Sequence, residues 1–347
     1  MPDKTIRKLT TLLEKGYLNE EDMTLLQQVV ERFPLAIPEK LSALIDQADA
    51  EDPIKLQYVP SIQELEISEA ERADPIGDHV HEVVKGLIHR YEDRCLFMPV
   101  QVCAVYCRFC FRREEVGFAS NTLTQPERER AFAYIEAHPE IREVILTGGD
   151  PLILKPCVLQ EMLQRLSEIP HVEVLRIHTR IPMADPSRIT DDMLAALTLK
   201  KALFIAIHAN HAKEFSEEVI LALEKLVKHG IPLISQTTLL KGINDHIDAL
   251  SDLMRMLVKH RIKPYYLHHA DLAKGTSHFR TTIAEGEALM RALRGRFSGL
   301  CQPTYVLDIP GGFGKVPIGP QYLSCDHEGS ITVQDYQGHQ HVYETLL

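Results

Sequence analysis

From residue 95 onward the chain repeats one pattern six times, a short apolar run rich in β-branched and aromatic residues followed by a stretch of helical length. The runs are CLFMPVQV, EVILTGG, VEVLRIHTR, ALFIAIHAN, PLISQTTLL and PYYLHHA. Each reads as a buried strand. QPERERAFAYIEAH, LQEMLQRLSEI, TDDMLAALTL, SEEVILALEKLVKHG and IDALSDLMRMLVKH lie between them, and EGEALMRALRGRF follows the sixth. Six βα units in succession imply an α/β fold with a parallel sheet and right-handed crossovers. A doubly wound sheet shares this pattern, but the similar spacing of the units suits a curved, partial (β/α)6 barrel over residues 95–297. Such a barrel carries its active groups at the C-terminal ends of its strands.

Polar and Gly-rich residues should then gather just after each apolar run. Cys103, Cys107 and Cys110 follow the first run, Gly148-Gly149-Asp150 the second, and His178-Thr179-Arg180 end the third. His208 and Asn210 end the fourth, Gln236 lies in the fifth, and Asp271 follows the sixth. A core explanation of any one of these is easy, but it does not place all of them on one rim.

Residues 1–94 read as a mostly helical, polar extension, with apolar residues at three- and four-residue spacing in LTTLLEKG and EDMTLLQQVVERF. Pro34, Pro38, Pro53, Pro60 and Pro75 punctuate it, which suggests a wrap rather than an independent core. Residues 298–347 form a C-terminal segment in which two alternating runs flank a QGH turn and predict a hairpin. An open six-stranded sheet leaves one side uncovered, and this segment is expected to close it.

The net charge of −11 and the absence of any Lys/Arg stripe oppose nucleic acid as a partner. No apolar run approaches the roughly 20 residues of a membrane helix. The N-terminus lacks a signal's apolar core and carries acids that a transit peptide avoids, so a cytoplasmic protein is expected. Three of the seven cysteines crowd into CAVYCRFC, which fits a reduced compartment and a metal site better than a disulfide framework.

That stretch has the spacing CxxxCxxC in a loop after the first strand. Zinc normally takes a fourth Cys or His at paired spacing, and none lies nearby. Three thiolates suit a cubane iron–sulfur cluster with one iron left open to a small ligand. With an aromatic residue before the last cysteine, the motif resembles that of the radical S-adenosylmethionine (SAM) superfamily. The resemblance implies a [4Fe-4S] cluster on Cys103, Cys107 and Cys110, chelation of the open iron by SAM, and cleavage of SAM to a 5′-deoxyadenosyl radical. A reducing donor such as flavodoxin or ferredoxin goes with it. Gly148, Gly149 and Asp150 look like the family's second-strand glycine motif, which holds the methionyl amine, although Gly-Gly at a strand end is also an ordinary turn.

HRYEDRCLF, CAVYCRFCFRR, LTGGDPL, HANHAKE, QTTLLKGIND, ADLAKGTSHFRT and YVLDIPGGFGK together resemble the lysine 2,3-aminomutase family, in matching order over residues 89 to about 320. The resemblance implies an isomerase that shifts an amino group between neighbouring carbons of lysine, using SAM and pyridoxal 5′-phosphate (PLP). Lys315 matches the lysine that forms a Schiff base with PLP; taken alone it is a solvated loop lysine. Arg90, Tyr91 and Arg94 match PLP contacts, although HRYEDR by itself reads more readily as an ordinary charged helix end. His208 matches a residue beside that cofactor, and Gln236 one that contacts the SAM ribose. Arg112 matches the arginine for the substrate carboxylate, where a planar bidentate donor suits the role.

Asp271 and Asp308 match the pair of aspartates for the distal ammonium; alone they read as a loop cap and a turn residue. Two acids favour lysine over an acidic substrate, with arginine in the same charge class. A non-catalytic iron–sulfur sensor has no use for Lys315, Arg112 and both aspartates. The zinc site of the larger clostridial-type relatives is expected to be absent, since His246 stands at its strand position and Cys325 is the one late cysteine. That leaves the oligomeric state open. The short length and Phe111 resemble the bacterial branch that supplies β-lysine for modifying elongation factor P, a branch that commonly lacks the second pocket aspartate present here.

Overall fold

The computed structural model describes residues 5–325 and 330–343. Ten strands form one sheet in chain order: β1 (Glu82–Val84), β2 (Leu87–Tyr91), β3 (Arg94–Val100), β4 (Glu143–Gly148), β5 (Val174–Thr179), β6 (Ala202–His208), β7 (Leu233–Leu239), β8 (Ile262–His269), β9 (Thr304–Ile309) and β10 (Gly314–Pro317). Every pair from β3 to β9 is parallel. The two N-terminal pairs and β9–β10 are antiparallel. The six expected strands are β3 to β8. The sheet continues past both expected boundaries, because β1 and β2 come from the stretch read as helical and β9 and β10 from the C-terminal segment. Arg90 and Tyr91 are therefore strand residues, and Arg94 opens β3.

Helices cover the sheet with the faces their sequences dictate. Ile247–Lys259 buries Leu250, Leu253, Met254 and Leu257, a spacing that lines one face at 3.6 residues per turn. Thr124 with Glu127, and Thr282 with Glu285, form capping boxes that start two of these helices by satisfying otherwise unpaired N–H groups. The same apolar cluster takes in Ile145's neighbours Val144 and Leu146 on β4.

The sheet is not closed by a strand ladder, since β1 and β10 are its two ends. Side chains bridge the gap instead. The Lys315 N–H donates to Tyr91 Oη (2.7 Å), and His81 Nε2 donates to the Gly312 carbonyl (2.8 Å). The expected hairpin exists, as β12 (Ile331–Gln334) and β13 (Gln340–Tyr343) after β11 (Leu323–Cys325), but it forms a separate small sheet and does not close the large one. The N-terminal extension gathers Leu12, Leu26, Leu41, Ile54 and Tyr58 into an apolar cluster against the sheet domain. Val105 of the cysteine loop and Ala184 complete that cluster.

Candidate active site

The sheet encloses a cavity of about 500 Å³. Arg90, Tyr91, Arg94, Cys107, Cys110, Arg112, His208, Gln236, Asp271, Asp308 and Lys315 all line it. The cysteine loop leaves the C-terminal end of β3, whereas Arg94 opens that strand at its other end. Cys103 faces a smaller cavity that Cys107 and Cys110 also line.

Gly148, Gly149 and Asp150 do not line the main cavity; they hold the cysteine loop. Gly149 N–H donates to Val100 O (2.8 Å) and Asp150 N–H to Val102 O (3.0 Å). A Cβ on Gly149 would overlap the Val102 backbone, so only glycine lets the chain after β4 run this close to the chain after β3. The Asp150 carboxylate accepts from Leu152 N (3.0 Å), Thr179 Oγ1 (2.7 Å), Arg180 N (2.7 Å) and Ile181 N (3.1 Å). It clamps the ends of β4 and β5 together.

The extension staples the other side of the loop. Tyr106 N–H donates to Ala36 O (3.1 Å), Arg108 N–H to Gln57 O (2.9 Å) and Arg108 Nη1 to Pro34 O (3.0 Å). Buried Glu64 takes both Arg108 and Arg113, and the two guanidiniums hold its carboxyl below its ordinary range against the penalty of burial. Burial pushes the Cys107 thiol up to about 12 and raises Cys103 and Cys110 as well. Arg180 opposes this at Cys107, and Arg112, Arg113 and Arg180 do so at Cys110. Among the described residues no three Cys, His, Asp or Glu close on a single ion. A cubane cluster spans a wider base than one ion. Half-buried thiols, two of them backed by guanidiniums, fit such an anionic cluster, whose irons would make them thiolates.

Elsewhere on the cavity wall, the Arg94 guanidinium lies 3.9 Å from the centroid of the Tyr91 ring, and Tyr265 and Tyr266 pack with ring centroids 3.9 Å apart. Arg90 donates to Asp78 Oδ1 (2.8 Å) and Ile76 O (2.9 Å), while its buried Nε has no partner among the described residues. Arg112 binds the other oxygen of the same aspartate, at 2.6 Å from Nη2 and 3.1 Å from Nε. Asp78 thus bridges the two arginines assigned to phosphate and carboxylate. Cations, aromatic rings and an unpaired buried donor fit an aromatic phosphate ester such as PLP.

Lys315 pairs with Asp308 across the β9–β10 ladder. Its ammonium is bonded to Asp308 Oδ2 and lies 3.3 Å from His268 Nδ1. Burial, followed by the negative charge of Asp308, raises Asp271 to about 7, whereas Lys315 and His268 outweigh burial at Asp308 and lower it to about 2. His178 and His208 face each other at 6.0 Å, with Gln236 Nε2 3.3 Å from His178 Nε2. Burial keeps both imidazoles neutral, with His208 pushed down to about 3 and His178 also well below its ordinary value. Asp78 and His268 were not singled out from sequence. Asp78 lies in a Pro/Gly-rich turn segment that offers no signal, and His268 in PYYLHHA reads as strand.

Family comparison agrees with this geometry. The radical SAM superfamily model matches residues 98–254, and the Lysine-2,3-aminomutase model matches residues 290–345. L-lysine 2,3-aminomutase of Clostridium subterminale is 36% identical over 92% of this chain and 77% of its own length. The enzyme of that name from Methanococcus maripaludis is 39% identical over 92% and 74%. Glutamate 2,3-aminomutase of Clostridioides difficile is 38% identical over 96% and 78%. With the cysteine loop, the enclosed cavity and this identity along most of its length, the chain belongs to the lysine 2,3-aminomutase family of radical SAM isomerases.

Proposed function

We propose that the protein is an L-lysine 2,3-aminomutase that converts L-α-lysine to β-lysine. The observation that carries lysine over the glutamate of one relative is the contact between Asp308 and an alkyl ammonium, that of Lys315. The seat assigned to the distal amine of the substrate accepts that group chemically. Asp271 lies in the same cavity, and Arg112 offers a planar cation for the carboxylate. When bound, the cluster with SAM supplies a 5′-deoxyadenosyl radical and PLP the π system across which an amino group migrates. The chain's residues bind and orient: Cys103, Cys107 and Cys110 for the cluster; Gln236, near His178, for SAM, with Gly148, Gly149 and Asp150 shaping the loop beside it; Arg90, Tyr91, Arg94, His208 and Lys315 for PLP. The cavity walls would limit the access of water to the reacting carbons.

The test is the anaerobic rate with lysine, arginine and glutamate, for the parent and for Asp271→Asn and Asp308→Asn. Lysine should be preferred, and both variants should lose that preference. Faster turnover of arginine would shift the assignment within cationic amino acids, and equal turnover of glutamate would end it. Among the described residues no helix is long and apolar enough to cross a membrane. A cytoplasmic location, a flavodoxin- or ferredoxin-like donor, and the division at residues 94 and 297 belong to the same reading.

A further inference from the structure

We propose that His268 is the acid–base residue for Lys315, taking a proton from its ammonium so that the amine can react with a carbonyl and returning that proton when the amine is released. The proposal rests on the reading that Lys315 carries PLP. Three groups from adjacent strands converge: Lys315 of β10, Asp308 of β9 and His268 of β8. The Lys315 ammonium is bonded to Asp308 and lies 3.3 Å from His268 Nδ1, which is itself 3.6 Å from Asp308 Oδ2. An ammonium has no lone pair to accept with, so Nδ1 must be the acceptor and the neutral ring carries its hydrogen on Nε2. That Nε2 is buried and has no partner among the described residues, on a side chain that lines the cavity.

The ammonium of a lysine is not a nucleophile until it loses a proton. In the transfer one N–H bond of Lys315 breaks, its electron pair stays on Nζ as the lone pair, and the proton bonds to Nδ1. An amine and an imidazolium result, with total charge unchanged and no oxidant or reductant involved. Asp308 stays ionised and faces the new cation. Burial first, and then Lys315, depress the basicity of His268, while Asp308 supports it. Once Lys315 is neutral its opposing charge is gone, so the imidazolium is favoured at the moment it forms. Other groups near this ring are Tyr266, at 5.7 Å between centroids, the more distant His178 and His208, both neutral by burial, and Asp271, which lines the same cavity and feels the charges of Asp308 and Lys315.

Cofactor-free protein mixed with PLP tests the idea without turnover. The imine absorbance is followed in time across pH, and borohydride reduction with peptide mapping identifies the labelled lysine. In His268→Gln, Lys315 should still be labelled at long times, but on the order of 100-fold more slowly, the low end of what general acid–base groups contribute. The parent rate should fall in the acid range as His268 becomes protonated, and this inflection should be absent in the variant. Imidazole in solution should restore the rate of His268→Ala, which a merely structural role would not allow. A His268→Gln protein labelled at the parent rate with the parent pH profile overturns the proposal while leaving the PLP reading intact. A parent label on another lysine overturns both.

Discussion

At Asp271 the cavity sets a pH dependence. Its carboxyl is raised to about 7, chiefly by burial and next by Asp308, so below that pH it is largely protonated in the ligand-free protein. A bound ammonium favours the ionised form, and binding must then release a proton. Lysine affinity should therefore weaken as pH falls through about 7, and Asp271→Asn should flatten the dependence, as calorimetry in two buffers of different ionisation heat would show. Asp78 makes a different prediction. Replacing it with Ala leaves two buried guanidiniums without their shared counterion, and loss of one partner from a buried pair typically costs about 3–5 kcal/mol. Urea unfolding should report a loss of that size. Arg112 was legible because it follows the cysteine motif directly, whereas Asp78 lies 34 residues upstream of it and becomes its partner only in the folded chain.

The cysteine loop, as an element, depends on glycine at one position. Gly149→Ala would drive a Cβ into the Val102 backbone, displacing the loop that begins at Cys103. Iron content after anaerobic reconstitution should drop severalfold and the melting temperature should fall. Gly299→Ala, with nothing near its added Cβ, should stay within about 0.5 kcal/mol of the parent. The six central strands were legible because each is a continuous apolar run, as strands buried on both faces must be. The antiparallel strands flanking these six carry no such signal. β2 ends in His89, Arg90 and Tyr91, and β10 is Gly-Lys-Val-Pro, a composition that disfavours strands on propensity alone. The rim rule located the cysteines, His208 and Asp271. It could not locate Arg90, Tyr91 and Arg94, which line the cavity from β2 and the start of β3 rather than from the end of a parallel strand.

Over the whole molecule, the sheet's seam is held by side chains rather than by a ladder, and it should open more readily than any strand pair. Tyr91→Phe removes the acceptor for the Lys315 N–H; losing a bond worth about 1 kcal/mol should speed exchange of that amide about fivefold, as hydrogen exchange would measure. The contact between Lys315 and Asp308 has a kinetic consequence. In the cofactor-free protein the chain's own lysine occupies the seat proposed for the substrate's, so free lysine meets a competitor tethered at very high local concentration. Only after Lys315 has surrendered its charge does the seat fall vacant. Assembly is then ordered, cofactor before substrate, and lysine titrated into cofactor-free protein should give little heat where the loaded protein gives a full isotherm.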